Sequence, residues 1–255
     1  KLPATLTLPE GGGPFPALVL VHGSGPHDRD ETLGANAPFK DLAEGLAKRG
    51  VATLRYVKRT KQYPGRPVAT VKDETIDDAV SALTLVRQQA RIDAKRVFVL
   101  GHSLGGYIAP RIAQQYPAVA GVIVMAGNVR SIEELGREQL QYLGAPPEAL
   151  QQILRALPPS YLDDLKAYDP VGLARKIALP FLILQGERDY QVTMKDFELW
   201  KAGLKDRKDV TFKSYPKLNH LFLEGEGKSL PPEYSKPGHI PDYVLDDIAA
   251  LLLAR

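Results

Sequence analysis

Apolar positions along this chain fall into short unbroken runs separated by longer stretches of helical spacing. Ala17 to Val21, Val51 to Leu54, Val97 to Leu100, Val119 to Met125 and Phe181 to Leu184 are continuous rather than alternating. A strand that is apolar on both faces is buried on both, so these runs predict the core strands of a parallel sheet covered by helices. Between them apolar residues recur three and four apart: Phe39, Leu42, Ala43 and Leu46 before the stop at Gly50, Ile76, Val80, Leu83 and Val86 after Asp73, then Ile108, Ile112 and Tyr116. Thr193 and Asp196 have the spacing of a capping box for a helix carrying Phe197 and Trp200. Such repeated alternation predicts an α/β fold: a mostly parallel, doubly wound sheet with helices on both faces. Leu2 to Leu8 alternates with threonines and is expected as an antiparallel edge.

Asn128 to Gly172 interrupts the alternation with mainly helical sequence. It holds Leu150, Ile153, Leu154 and Leu157 at helical spacing, then Pro158, Pro159 and Tyr161. This predicts a small helical cap inserted after the fourth parallel strand, whose aliphatic and aromatic residues, Leu154 and Tyr161 among the candidates, are divided between lining a pocket and packing the cap onto the core. The 255 residues are expected to form one domain, 1–255, with 128–172 as its cap insertion.

Composition narrows the partners. The net charge is +3 and basic residues are interspersed with acidic ones, which argues against nucleic acid. Cysteine is absent, which excludes disulfides and thiolate chemistry but leaves the compartment open, cytoplasmic or secreted after removal of an N-terminal region. No run approaches the ~18 apolar residues that span a bilayer, so no membrane span is expected of what reads as a soluble chain. No G-x-G-x-x-G follows the first parallel run and no histidine-rich cluster occurs, so neither a cofactor nor a metal is expected.

Directly after Val97 to Leu100 stands Gly101-His102-Ser103-Leu104-Gly105-Gly106, a G-x-S-x-G sequence that leads into helical spacing. In the order strand, sharp turn, helix, such a serine is a nucleophile, and the glycines sit where a side chain would strike a neighbouring strand or helix start. A hydroxyl is a weak nucleophile at neutral pH, so Ser103 calls for a base, an orienting carboxylate and oxyanion donors. The chain order serine, acid, histidine makes Asp189 the leading acid, in the turn beyond Phe181 to Leu184, with Glu187 second. Of the five histidines, His22 and His27 precede the serine, and His102 adjoins it and should point away from the open side. His220 is favoured over His239 because it ends a short turn off the strand-like stretch Val210 to Tyr215, and a base needs rigid anchoring. His22-Gly23-Ser24-Gly25-Pro26 follows Ala17 to Val21, and offers the Ser24 N–H as first oxyanion donor. Leu104 N–H, just after the nucleophile, is the second. The loop Arg55 to Arg66 carries five basic residues and Asp28 to Glu31 is mostly acidic. Ion pairs between them, such as Arg59 with Asp28 or Asp30, are expected in preference to recognition of an anionic substrate.

Together with Leu54-Arg55-Tyr56, Lys58-Arg59-Thr60, Gln185 to Val192 and Leu218-Asn219-His220-Leu221-Phe222, these motifs make the chain resemble an α/β-hydrolase over nearly its whole length. More narrowly it resembles bacterial serine carboxylesterases of the EstD-like branch. That resemblance implies hydrolysis of short-chain carboxylic esters of small molecules through an acyl-enzyme, without a cofactor, and makes His220 the base. It also implies a region ahead of the hydrolase body; this chain begins at Lys1 without a methionine, as a fragment or processed form would. An acyl-CoA thioesterase or acyltransferase on the same triad is the alternative. A peptidase would call for a larger cap or a propeller, and a non-catalytic binding module would lack one of the catalytic parts. The oligomeric state is left open.

Overall fold

The computed structural model describes residues 1–254. Strand β1 (Ala4–Thr7) leads into β2 (Phe15–Val21), whose side chains alternate between two buried faces. Ala17, Val19 and Val21 enter one core, and Leu18 and Leu20 enter the other. Helix α1 (Pro38–Ala47) starts on a proline whose fixed φ suits the first turn, and buries Phe39, Leu42 and Leu46 against the Leu18 face. Next come β3 (Ala52–Tyr56), the single turn α2 (Arg59–Gln62), a π turn at Lys72–Ile76 and α3 (Asp77–Arg87). Strand β4 (Ile92–His102) feeds α4 (Leu104–Gln115), and β5 (Val122–Met125) follows.

Four helices then separate β5 from the next strand: α5 (Ile132–Leu143), α6 (Glu148–Arg155), α7 (Pro159–Lys166) and α8 (Pro170–Ala174). The chain closes through β6 (Phe181–Gly186), α9 (Met194–Leu204), β7 (Val210–Tyr215) and α10 (Asp242–Leu253). Among the described residues the strands form one seven-stranded sheet in the order β1-β3-β2-β4-β5-β6-β7. Every pair is parallel except β1 with β3, so the opening segment is the antiparallel edge that its alternation implies. Helices α3, α4 and α9 cover the Val19 face and α1 and α10 the other, the doubly wound arrangement. No helix among the described residues is long and apolar enough to cross a membrane.

Two local expectations need correction. The strand expected over Val119 to Met125 starts at Val122, because Val119 is still in the turn off α4 and donates its N–H to the Tyr116 carbonyl at 3.2 Å. Thr193 makes no side-chain cap on α9; the fully buried Asp196 instead accepts from the N–H groups of Val129 and Arg130 at 2.9 and 3.0 Å. The capping box lies at α5, where Ser131 and Glu134 bond reciprocally.

Parallel strands all point one way, so their carboxyl ends share an edge of the sheet. There β2 hands the chain to Gly23 and Ser24, β3 to Lys58, β4 to Ser103, β6 to Asp189 and β7 to His220. Residues far apart in sequence thereby become neighbours.

Candidate active site

Ser103 adopts φ +54 and ψ −119 between the end of β4 and the start of α4. Backbone of this kind in a residue with a Cβ costs ~1 to 3 kcal/mol and persists only where the surroundings enforce it. The enforcement is close packing: a Cβ on Gly101 would strike the Gly105 carbonyl, and one on Gly105 would strike the Val21 carbonyl. Ser103 N–H donates to Met125 O on β5 at 2.9 Å, which ties the turn to the next strand. The serine thus stands on the wall of a cavity of about 550 Å³.

Asp189 and His220 meet. The Nδ1 of His220 lies 2.6 Å from Asp189 Oδ2, with both side chains buried. The other carboxylate oxygen accepts from the N–H groups of Gln191 and Val192 at 2.7 and 3.0 Å, so the carboxylate cannot swing. Asn219 builds the turn that carries the histidine: its Oδ1 accepts from Leu221 N–H and Leu223 N–H at 3.0 and 3.1 Å, and Phe222 takes φ +60. His220 also lies against the residue preceding the serine, since His102 Nε2 donates to the His220 carbonyl at 2.9 Å and the two rings are 4.8 Å apart. The Ser103 hydroxyl makes no hydrogen bond to His220 in this structure; in unliganded sites that contact tightens when substrate binds.

The glycine-rich loop after β2 is held on both sides of Gly23. Its N–H donates to Glu31 Oε1 at 2.6 Å, and its carbonyl accepts from Lys58 Nζ at 2.7 Å. Ser24 and Leu104 line the same cavity as Ser103, and neither N–H donates to a protein acceptor among the described residues. Glu31 Oε2 accepts from His102 Nδ1 at 2.8 Å. Burial alone would raise the Glu31 pKa, but the charge and hydrogen bond of His102 hold it down at about 2. His102 is raised: burial opposes its charged form, and Glu31 prevails. Burial lowers His22 to about 4, a neutral ring whose Nε2 donates to the Asp28 carbonyl at 2.9 Å.

The remaining candidates lie elsewhere. Glu187 is exposed and accepts from Ser214 Oγ at 2.8 Å, and His239 is exposed beside Asp41 of α1 at 3.0 Å. Arg59 does not reach Asp28 or Asp30; it makes a two-point bond to Asp78 on α3 at 2.8 and 2.7 Å. The expected pairing of the two stretches is made instead by Arg55, whose guanidinium bonds Asp30, while Asp28 accepts from the N–H groups of Asp30 and Thr32. The cavity is walled by Leu150, Ile153 and Leu157 of the insertion, together with Leu135 and Leu165. Leu154 is not part of that wall, and Tyr161 is buried with its hydroxyl 2.6 Å from Glu74 Oε2. Sequence reasoning missed the Glu31–His102 and Lys58–Glu74 pairs; the two charged loops were the available signal.

Comparison with known proteins places these residues in context. The model of the prolyl oligopeptidase family matches residues 66–231. Esterase EstD of Thermotoga maritima is 43% identical over 268 aligned residues, covering 97% of this chain and 64% of that protein. The acylamino-acid-releasing enzyme of Rattus norvegicus is 26% identical, covering 84% of this chain and 30% of that protein. The chain thus spans just under two thirds of the first relative and under one third of the second. Among solved structures, Est1E from Butyrivibrio proteoclasticus with ferulic acid bound superposes at a TM-score of 0.65 with 18% identity, covering 98% of this chain and 92% of that one. The Pyrococcus furiosus esterase Pf2001 gives 0.64 with 14% identity, covering 99% and 92%. At these identities the likeness speaks to the fold, which is that of the α/β-hydrolases.

Proposed function

The chain belongs to the prolyl oligopeptidase family, and we propose that it is a serine carboxylesterase acting on short-chain esters of small molecules. The observation that carries the reading is the 2.6 Å bond between Asp189 and His220, set against the strained Ser103 turn. The name of the 43%-identical relative, an esterase, supports it.

In this reading His220 takes the Ser103 proton as Oγ attacks the ester carbonyl, and Asp189 holds the imidazole in the tautomer that accepts at Nε2. The carbonyl electron pair moves onto oxygen, where the N–H groups of Ser24 and Leu104 receive it; one such donor is worth ~3 kcal/mol. The alcohol leaves with the proton from His220. Water, deprotonated by the same histidine, then splits the acyl-enzyme to the acid and restores the serine. Helices α5 to α7 act as a cap, and the apolar wall of Leu150, Ile153 and Leu157 accommodates the acyl or alcohol group.

Cleavage of an amide by the same groups is the second reading, favoured by the family and by the acylamino-acid-releasing relatives. One set of assays separates the two: a fluorophosphonate label, p-nitrophenyl esters of graded acyl length, an acyl thioester and an acyl-amino-acid p-nitroanilide. The expected result is labelling at Ser103 and fastest turnover of a short ester. Ser103→Ala should lose labelling and on the order of 10⁴-fold in kcat. Ester hydrolysis at the unmodified rate by Ser103→Ala would overturn the mechanism, and preference for the p-nitroanilide would replace the esterase reading with the second one.

A further inference from the structure

The geometry points to Lys58 as a positioning residue for the oxyanion donor at Ser24, linked to the cap through Glu74 and Tyr161. The inference rests on the serine-esterase reading and deepens it. Lys58 is 1% exposed, an unusual place for an ammonium, which is almost never fully buried unless paired. Its Nζ has two partners: the Gly23 carbonyl at 2.7 Å and Glu74 Oε1 at 3.1 Å. A buried ion pair needs only the second. The first reaches into the loop that carries the proposed oxyanion donor.

The peptide bond between Gly23 and Ser24 is trans, so its C=O and N–H point in opposite directions. Fixing the Gly23 carbonyl on Lys58, beneath the loop, therefore fixes the Ser24 N–H away from Lys58. Ser24 lies on the wall of the cavity that holds Ser103, and a Cβ added to Gly23 would approach Ser103 Cβ at 3.1 Å, so the loop and the nucleophile are in contact. Without the ammonium this peptide is free to rotate, and rotation would present a carbonyl dipole to the developing negative charge instead of a donor. The Gly23 N–H is already held by Glu31 and the Ser24 carbonyl by His27 Nε2 at 2.6 Å, which leaves the Gly23 carbonyl as the point that Lys58 controls.

The second link runs outward. Glu74, on the π turn before α3, accepts the Tyr161 hydroxyl at 2.6 Å on Oε2 while Oε1 faces Lys58. Tyr161 belongs to α7 of the insertion. The same helix is seated by Ser160 Oγ donating to Ala69 O at 2.7 Å and by Asp164 Oδ2 accepting from Val71 N–H at 3.1 Å. The seat of α7 on residues 69–74 and the orientation of the Ser24 N–H thus share one hydrogen-bonded chain: Tyr161, Glu74, Lys58, Gly23.

Lys58→Met alone strands a buried carboxylate and endangers the fold. The informative variant is Lys58→Met with Glu74→Gln, which removes both charges and keeps an acceptor for Tyr161. Its kcat for p-nitrophenyl butyrate is expected to fall on the order of 10²-fold, with KM changed by no more than roughly threefold. Binding of a trifluoromethyl ketone should weaken in parallel. In that adduct Ser103 Oγ bonds to the carbonyl carbon, the serine proton passes to His220 and the oxygen becomes the oxyanion, so its affinity reports the hole and not the stability of the fold. Tyr161→Phe, which deletes one hydroxyl, should lower kcat by a few-fold with KM unchanged. Wild-type kcat and ketone affinity in the double variant would overturn the proposal, as would a loss in Lys58→Met that the added Glu74→Gln repairs. Absence of ester turnover and Ser103 labelling in the unmodified protein would instead overturn the esterase reading, and this inference with it.

Discussion

One oxygen of Asp189 is committed to two backbone N–H groups, and the other, which also accepts from Gln185 Nε2 at 3.2 Å, orients His220. Asp189→Asn is therefore expected to disturb the tautomer rather than the fold, lowering kcat on the order of 10⁴-fold with little effect on KM. His220→Ala should be comparably slow, and combining it with Ser103→Ala should cost little more, because groups acting as a unit are not additive. His239→Ala, at an exposed loop, should retain activity. Steady-state kinetics on one p-nitrophenyl ester checks all four, and the reverse pattern for the two histidines would exchange their roles. At this scale the candidates that stand in sequence motifs were legible, since strand, turn and glycine spacing state where a side chain is displayed. Lys58, Glu74 and Tyr161 were not, because the Tyr161–Glu74 bond spans 87 residues and no local pattern announces such a pairing. Likewise the charges of Arg55 to Arg66 were visible, but which carboxylate each would meet depended on the passage of α3.

Helical spacing tells which residues share a face without telling what that face meets. Leu150, Ile153, Leu154 and Leu157 were all legible as apolar positions of α6 and its exit, yet the cavity takes three of them and omits Leu154. Tyr161, expected to face the pocket, is turned down onto Glu74 by the docking of α7. The two errors have one origin: an inserted helix can be rotated about its axis by the contacts that seat it, and those contacts are long-range. A strand of the sheet has less freedom, which is why its core positions were read correctly. If the wall of α6 selects the acyl group, Leu150→Ala and Leu157→Ala should shift the ratio of kcat/KM between hexanoyl and acetyl esters by roughly tenfold, since a methylene in an apolar pocket is worth ~1 to 3 kcal/mol. Leu154→Ala should leave the ratio where it was. Equal profiles in all three variants, with thermal stability kept, would mean that the wall only packs the insertion onto the body.

For the whole molecule, gathering the proposed catalytic groups at one sheet edge sets the buried titratable residues His22, Glu31 and His102 beside them, and the fold then inherits their pH dependence. Glu31 falls from an ordinary 4.5 to about 2 in the folded chain, so the stability it contributes is present above 4.5 and is lost as pH falls through about 2. His22 is lowered from 6.5 to about 4; its neutral ring favours folding above 6.5, and that contribution drains away between 6.5 and about 4. His102 works in the opposite sense, because its raised pKa stabilises the fold below 6.5 and is lost as pH rises through the folded value. Acidification below about pH 6.5, where the His102 contribution is already complete, should therefore lower the thermal midpoint in two overlapping stages, the first from His22 and the second from Glu31. Glu31→Gln is expected to be less stable than the unmodified chain at neutral pH, where the His102 partner is lost, and to show a flatter decline below about pH 4.5. Differential scanning of both proteins from pH 3 to pH 8 makes the comparison. Parallel curves over the acid limb would show that the Glu31–His102 pair does not set the acid sensitivity, and would move the origin of that limb to the exposed ion pairs.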